Sequence, residues 1–193
     1  SFDGAGDYEL SEDERWLVPH MKFSQGKGLT LTEIASEYCN VSPMPTGFGC
    51  LYNSYSLMIY KSKMNIPDAD LVVDNLTYPG KIMGLAAFGD YHKINLPEWF
   101  SLAREDGFPQ LHNCSTDYTA PSSGSWNPDD LAAWVQHQFE KYLLLFLSNI
   151  PEHEKRDNLC LGGGCALNII ANTKILEEGI YKNVHVNTAP NDD

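Results

Sequence analysis

Gly162, Gly163 and Gly164 stand between a short apolar stretch and a segment with helical periodicity. With no Cβ in the way, such a turn lets backbone pass close to a ligand. Its amide N–H groups, at the mouth of a helix, can meet an anion or a ring edge. Asn168 and Asn172 follow one turn apart and share a helix face. Two amides looking the same way could bind ribose or a base. A plain tight turn with two surface asparagines fits the same residues. The run is neither a GxxxxGK[ST] phosphate loop nor a GxGxxG dinucleotide turn. Downstream, a carboxylate at Asp192 or Asp193 could hold a divalent ion. Upstream, Lys81 follows Gly80 and precedes Gly84 and Gly89. Gly80 can set up a turn and Lys81 can reach a phosphate as a mobile point charge, or it is a solvated surface lysine. Near the start, Asp3, Gly4, Gly6 and Asp7 form an acid- and glycine-rich turn between Phe2 and Tyr8, which fits a simple hairpin.

These residues need elements to hold them. Residues 159–161 read as a buried strand, and residues 166–178 as a helix with Leu167, Ile170, Ala171, Ile175 and Leu176 facing inward and Gly179 as its stop. Residues 181–186 read as a second strand, which makes a parallel crossover unit. The clearest helix spans residues 129–148, where Leu131, Trp134, Val135, Gln138, Phe139 and Tyr142 recur near the helical period. Asn127 or Ser125 can cap it, with Pro128 in its first turn. Residues 49–60 have a helical character, and Tyr52 and Tyr55 read as a core-facing aromatic stripe. Residues 8–23 are strand material with Pro19 at an edge or break. Residues 25–28 read as a turn, and residues 29–38 fit strand or helix equally. Met83, Leu85 and Ala86 are expected to pack, while residues 91–130 are loop-rich.

The chain has 193 residues, 42% of them hydrophobic, which suits one domain or a large lobe. Lys and Arg total 13 against 26 Asp and Glu, a formal charge of −13. That balance argues against nucleic acid or an acidic membrane as partner, since both need a basic footprint. A nucleotide would have to be held by backbone amides, local lysines or a metal. The five cysteines show no CxxC pair or zinc spacing, and Cys160 and Cys165 read as small core thiols. Reduced cysteines, with no secretory or membrane-length apolar run, point to the cytoplasm. His92 and His112 are too isolated to propose as a metal pair.

The string from Leu161 through Gly162, Gly163, Gly164, Cys165, Ala166, Leu167 and Asn168 to Asn172 closely resembles the nucleotide-binding segment of carbamoyltransferases related to nodulation and antibiotic-tailoring enzymes. The Gly80-Lys81 stretch, ending Met83-Gly84-Leu85-Ala86 and Gly89, resembles a second motif of that family. Tyr52 with Ser56, Gln136 with Glu140, and Pro190 with Asp192 resemble further positions. The resemblance implies an α/β fold, a ribonuclease-H-like lobe of an actin/sugar-kinase domain. Its mixed sheet is expected to be flanked by helices, with residues 41–129 as inserted helices and loops. It implies phosphate contacts from the hairpin of Asp3, Gly4 and Gly6, and adenosine contacts from Gly162, Gly163, Gly164, Asn168 and Asn172. Lys81 becomes a polyphosphate contact and catalytic residue, and Asp192 the metal ligand. The implied reaction moves a carbamoyl group from carbamoyl phosphate, through carbamoyl-adenylate made with ATP, to a hydroxyl of a small acceptor. The metal could be iron, manganese or magnesium.

Two departures stand out. Asp7 replaces the family's Glu, and no His-x-x-x-His occurs anywhere, although it supplies most of the family's metal ligands upstream of the hairpin. The expectation is therefore a partial domain, inactive by itself, that works with N-terminal and C-terminal parts of the same polypeptide. A sugar kinase, a tRNA threonylcarbamoyl-transferase-like enzyme and a non-catalytic ATP-binding module stay open as alternatives.

Overall fold

The computed structural model describes residues 9–10, 16–27, 29–40, 47–65, 78–102, 108–111 and 126–187. The first described strands, β1 (Glu9–Leu10), β2 (Trp16–Lys27) and β3 (Thr30–Asn40), form an antiparallel sheet in that order. Register runs down to the closing pair Lys27 and Thr30. Gln25, Gly26 and Lys27 therefore lie in β2, not in a turn. They pair with Thr32, Leu31 and Thr30, and the β-branched threonines favour extended backbone. Pro19 is tolerated because it lies beyond the β1 pairing and beside a register shift.

Helix α1 (Phe48–Met64) starts after Gly47 and stops at Asn65, whose left-handed backbone (φ 52°) turns its N–H back to the carbonyls of Lys61 and Ser62. Helix α2 (Tyr78–Leu85) continues into a short 3₁₀ turn, Ala86–Phe88. Gly80 thus sits in the first turn of a helix and does not make a turn ahead of Lys81. A second 3₁₀ turn, Tyr91–Lys93, leads to the short antiparallel pair β4 (Phe100–Ser101) and β5 (Gln110–Leu111).

Helix α3 (Pro128–Asn149) is the spine of the molecule. Asn127 caps it by accepting from the N–H groups of Asp129 (2.8 Å) and Asp130 (3.3 Å). Pro128 costs nothing at the first turn, and two aspartates there suit the helix dipole. Its core partners are mostly aromatic. Phe48 stacks on Tyr142 at 4.3 Å, and Trp99 meets Phe48 and Trp134 edge-on at 5.3 and 5.6 Å. Such offset and edge contacts suit the ring quadrupoles.

After α3 come β6 (Asn158–Leu161), a 3₁₀ turn (Gly164–Leu167), helix α4 (Ile169–Glu177) and β7 (Asn183–Val186). β6 and β7 pair in parallel, so the expected crossover unit is present. The helix differs in detail. Ala171 and Ile175 are buried, but Leu167 and Leu176 are exposed, because the segment begins as 3₁₀ and shifts its face before α4 starts. β7 starts late because the N–H groups of Lys182 and Asn183 both donate to the Asp157 carbonyl while Tyr181 is buried. The fold is mixed α/β, but the described strands form three small sheets in place of one mixed sheet. Among the described residues, no helix is long and apolar enough to cross a membrane.

Candidate functional site

Leu159 of β6 is buried, and together with Ala171 and Ile175 it anchors the turn to the core. Gly163 then takes φ 87° and ψ 162°, a region open essentially to glycine alone. Backbone geometry therefore demands this glycine whatever it binds. Gly162 differs: a Cβ built on it would meet no heavy atom within 4 Å. Its side faces open space.

The two asparagines have separate roles. Asn168 is buried and engaged through both its oxygen and its nitrogen. Its Oδ1 accepts from the Ala171 N–H at 3.1 Å, capping α4, and from Gln136 Nε2 at 3.0 Å. Its Nδ2 donates to Gln136 Oε1 at 2.9 Å. Asn172 donates to the Ala166 carbonyl at 2.7 Å, while its buried Oδ1 has no hydrogen-bond partner among the described residues. A buried acceptor left unpaired costs about 1–3 kcal/mol, so it needs an account. The surface-asparagine reading of both residues fails on burial.

Gln136 and Glu140 are buried too, so this pair is not a solvated helix face. Gln136 accepts from the Tyr52 hydroxyl at 2.8 Å and donates to Glu140 Oε1 at 2.8 Å. Glu140 Oε2 in turn pairs with Lys174 of α4 at 2.5 Å. Burial, and then the Glu140 carboxylate, push the Tyr52 hydroxyl well above its ordinary range, so it stays a neutral donor. Ser56, matched with Tyr52 in the sequence, spends its hydroxyl on the Tyr52 carbonyl at 2.7 Å. His137 stacks on Tyr91 at 4.0 Å, and burial lowers its pKa despite nearby Glu140. Lys174 carried no signal in the sequence. The clue available was a Gln and a Glu one turn apart on a helix whose neighbours are Trp134, Val135 and Phe139, since buried polar groups require partners.

The Lys81 motif is placed elsewhere. Lys81 is exposed, with its Nζ 4.6 Å from the Tyr60 ring centre and 5.5 Å from that of Tyr78. Both of these ring contacts are with α1 and α2 residues, not with residues 162–172. In this motif Ile82 is the fully buried residue, while Met83, Leu85 and Ala86 are half-buried. Gly89 lies against the first turn of α3, where Asp130 accepts from the Asp90 N–H at 2.8 Å. Cys160 is exposed and is no core thiol, because β6 turns it away from Leu159, whereas Cys165, half-buried in the 3₁₀ turn, packs against the core. Asp3, Gly4, Gly6 and Asp192 lie outside the described residues. Among those described, no group of three or more His, Cys, Asp or Glu is placed to hold a metal ion.

Comparison with known proteins supplies the family. The carbamoyltransferase N-terminus family matches residues 43–193. An uncharacterised protein of Synechocystis sp. is 30% identical over 200 residues, covering 98% of this chain and 30% of that protein. Nodulation protein U of Sinorhizobium fredii is 34% identical over 82 residues, covering 39% of this chain and 15% of that protein. The chain thus spans less than a third of the length of either relative. Since the match, over residues 43–193, takes in α1, α3, the glycine turn and β7, the chain belongs to the carbamoyltransferase N-terminus family.

Proposed function

We propose that this chain is the nucleotide-binding part of an ATP-dependent carbamoyltransferase. With one water, carbamoyl phosphate gives up orthophosphate and ATP gives up pyrophosphate as carbamoyl-adenylate forms, and a hydroxyl of a small-molecule acceptor then takes the carbamoyl group and releases AMP. The lobe would be of the ribonuclease-H-like, actin/sugar-kinase kind. One observation supports the nucleotide reading most: β6 leads into a turn whose Gly162 faces open space, and Asn172 of the α4 that follows has a buried Oδ1 with no donor among the described residues. Adenosine can donate N–H or O–H groups, which suits an acceptor better than a second amide donor would.

The chain's own residues divide the work. Gly162, Gly163 and Gly164 let the backbone approach the nucleoside, and Asn172 offers its oxygen. Asn168 holds the turn and is not a ligand. With a net charge of −13, bulk attraction cannot hold the phosphates. Asp3, Gly4 and Gly6 would offer backbone N–H groups, and Lys81 a local cation. Lys81 must leave the Tyr60 and Tyr78 rings to do so. An exposed cation–π contact is worth about 0.5–1 kcal/mol, and a hydrogen bond to a charged group about 1.5–3 kcal/mol, so phosphate wins. A divalent ion, iron, manganese or magnesium, would polarise the carbamoyl and phosphate oxygens. Asp192 is its proposed ligand. The described residues form no ligand set around it, so no step is assigned through the metal.

The test uses the full-length protein with ATP, carbamoyl phosphate, a divalent ion and a panel of sugar and aminoglycoside acceptors. We expect carbamoylated product with acceptor-dependent release of AMP, and loss of both in Asp192→Ala. Activity undiminished by Asp192→Ala, or no AMP release with any acceptor, would contradict the proposal.

A further inference from the structure

We propose that Gln136 is a positioning residue, holding the glycine turn in its binding geometry through Asn168. The inference rests on the reading of residues 162–172 as a nucleotide site. A primary carboxamide has two donor hydrogens and two acceptor lone pairs. Gln136 uses all four: Oε1 accepts from Tyr52 and Asn168, and Nε2 donates to Asn168 and Glu140. Glu140, itself held by Lys174, can only accept as a carboxylate, and this fixes which end of the amide faces it. The group therefore has one orientation. It ties α1, α3 and α4 to a single residue at the exit of the 3₁₀ turn.

That residue is a junction. The Asn168 N–H donates to the Cys165 carbonyl at 3.1 Å, closing the turn, while its side chain caps α4. Any tilt of Asn168 moves Gly163 and Gly164 relative to α4. Apolar side chains of the same volume would have filled this space without desolvating four polar groups. A saturated buried network costs that desolvation and gives orientation in return. Orientation matters where amides must meet a ligand within a fraction of an ångström.

The full-length protein carries the test, in two variants. Gln136→Met keeps volume and removes all four bonds. Asn168→Ser keeps an oxygen able to cap Ala171 and removes the amide pair. Both should show faster hydrogen exchange over residues 162–168, and Asn168→Ser, which spares the Tyr52–Gln136 bond, should leave α1 unchanged. Both should bind ATP at least about tenfold more weakly, the loss expected for hydrogen bonds of this kind. Tyr52→Phe, which spares the Gln136–Asn168 pair, should change affinity much less. Wild-type exchange over residues 162–168 in the Asn168→Ser protein would overturn the proposal, whether or not Gln136→Met folds. So would wild-type ATP affinity in either variant. If the unaltered protein binds no ATP, the nucleotide reading fails, and the exchange measurement still decides the positioning claim.

Discussion

A Cβ placed on Gly89 would sit 1.9 Å from the backbone oxygen of Asp129, while one placed on Gly162 would meet nothing within 4 Å. Both glycines belong to motifs that read as ligand-binding in the sequence. In the fold, the segment from Pro79 to Gly89 is a helix and a 3₁₀ turn, and Gly89 lets that segment dock on α3. Its lysine rests over Tyr60 and Tyr78. The turn at Gly162, Gly163 and Gly164 is held by its flanks and leaves one side clear. A glycine records only that a side chain is unwelcome; its surroundings decide whether protein or ligand occupies the space.

Substitutions separate the two regions, read as shifts in urea midpoint and as ATP affinity. Gly89→Ala should have the largest effect on stability. The intruding methyl meets backbone, which cannot swing aside, so a loss of about 3 kcal/mol is expected, the upper end for overpacking. Stability unchanged by this variant would mean that α2 and α3 can slide apart. Gly163→Ala should cost about 1–3 kcal/mol, because φ 87° with ψ 162° is strained for any residue with a Cβ. Its effect on ATP binding would mix strain with contact, which makes it a poor probe of the ligand. Gly80→Ala should have the smallest effect and the opposite sign. Open space surrounds Gly80 within α2, so a gain of about 0.5–1 kcal/mol is expected.

The sequence carried local information well. The cap at Asn127, the length of α3, the stripe of Tyr52 and Tyr55, and the strand–turn–helix–strand unit all follow from short-range patterns. It carried long-range pairing poorly. Gln136 and Glu140 were visible as a polar pair, but nothing local says that their partners stand on α1 and α4. The identity of Ile82 as the buried residue of the Lys81 motif, and the docking of Gly89, depend equally on where α3 lies. Asn168 and Asn172 look equivalent as letters. Only the position of Gln136 turns the first into a lock and leaves the second with an idle oxygen.

The central claim is that a nucleotide lies against the glycine turn. Gly162→Val in the full-length protein tests it most directly, since the added side chain has room in the unliganded fold. Calorimetric titration with ATP should show affinity reduced by about tenfold or more, while the unfolding free energy from urea titration stays within about 0.5 kcal/mol of the unaltered protein. Equal ATP affinity in the two proteins would contradict the account and remove the turn from the nucleotide site.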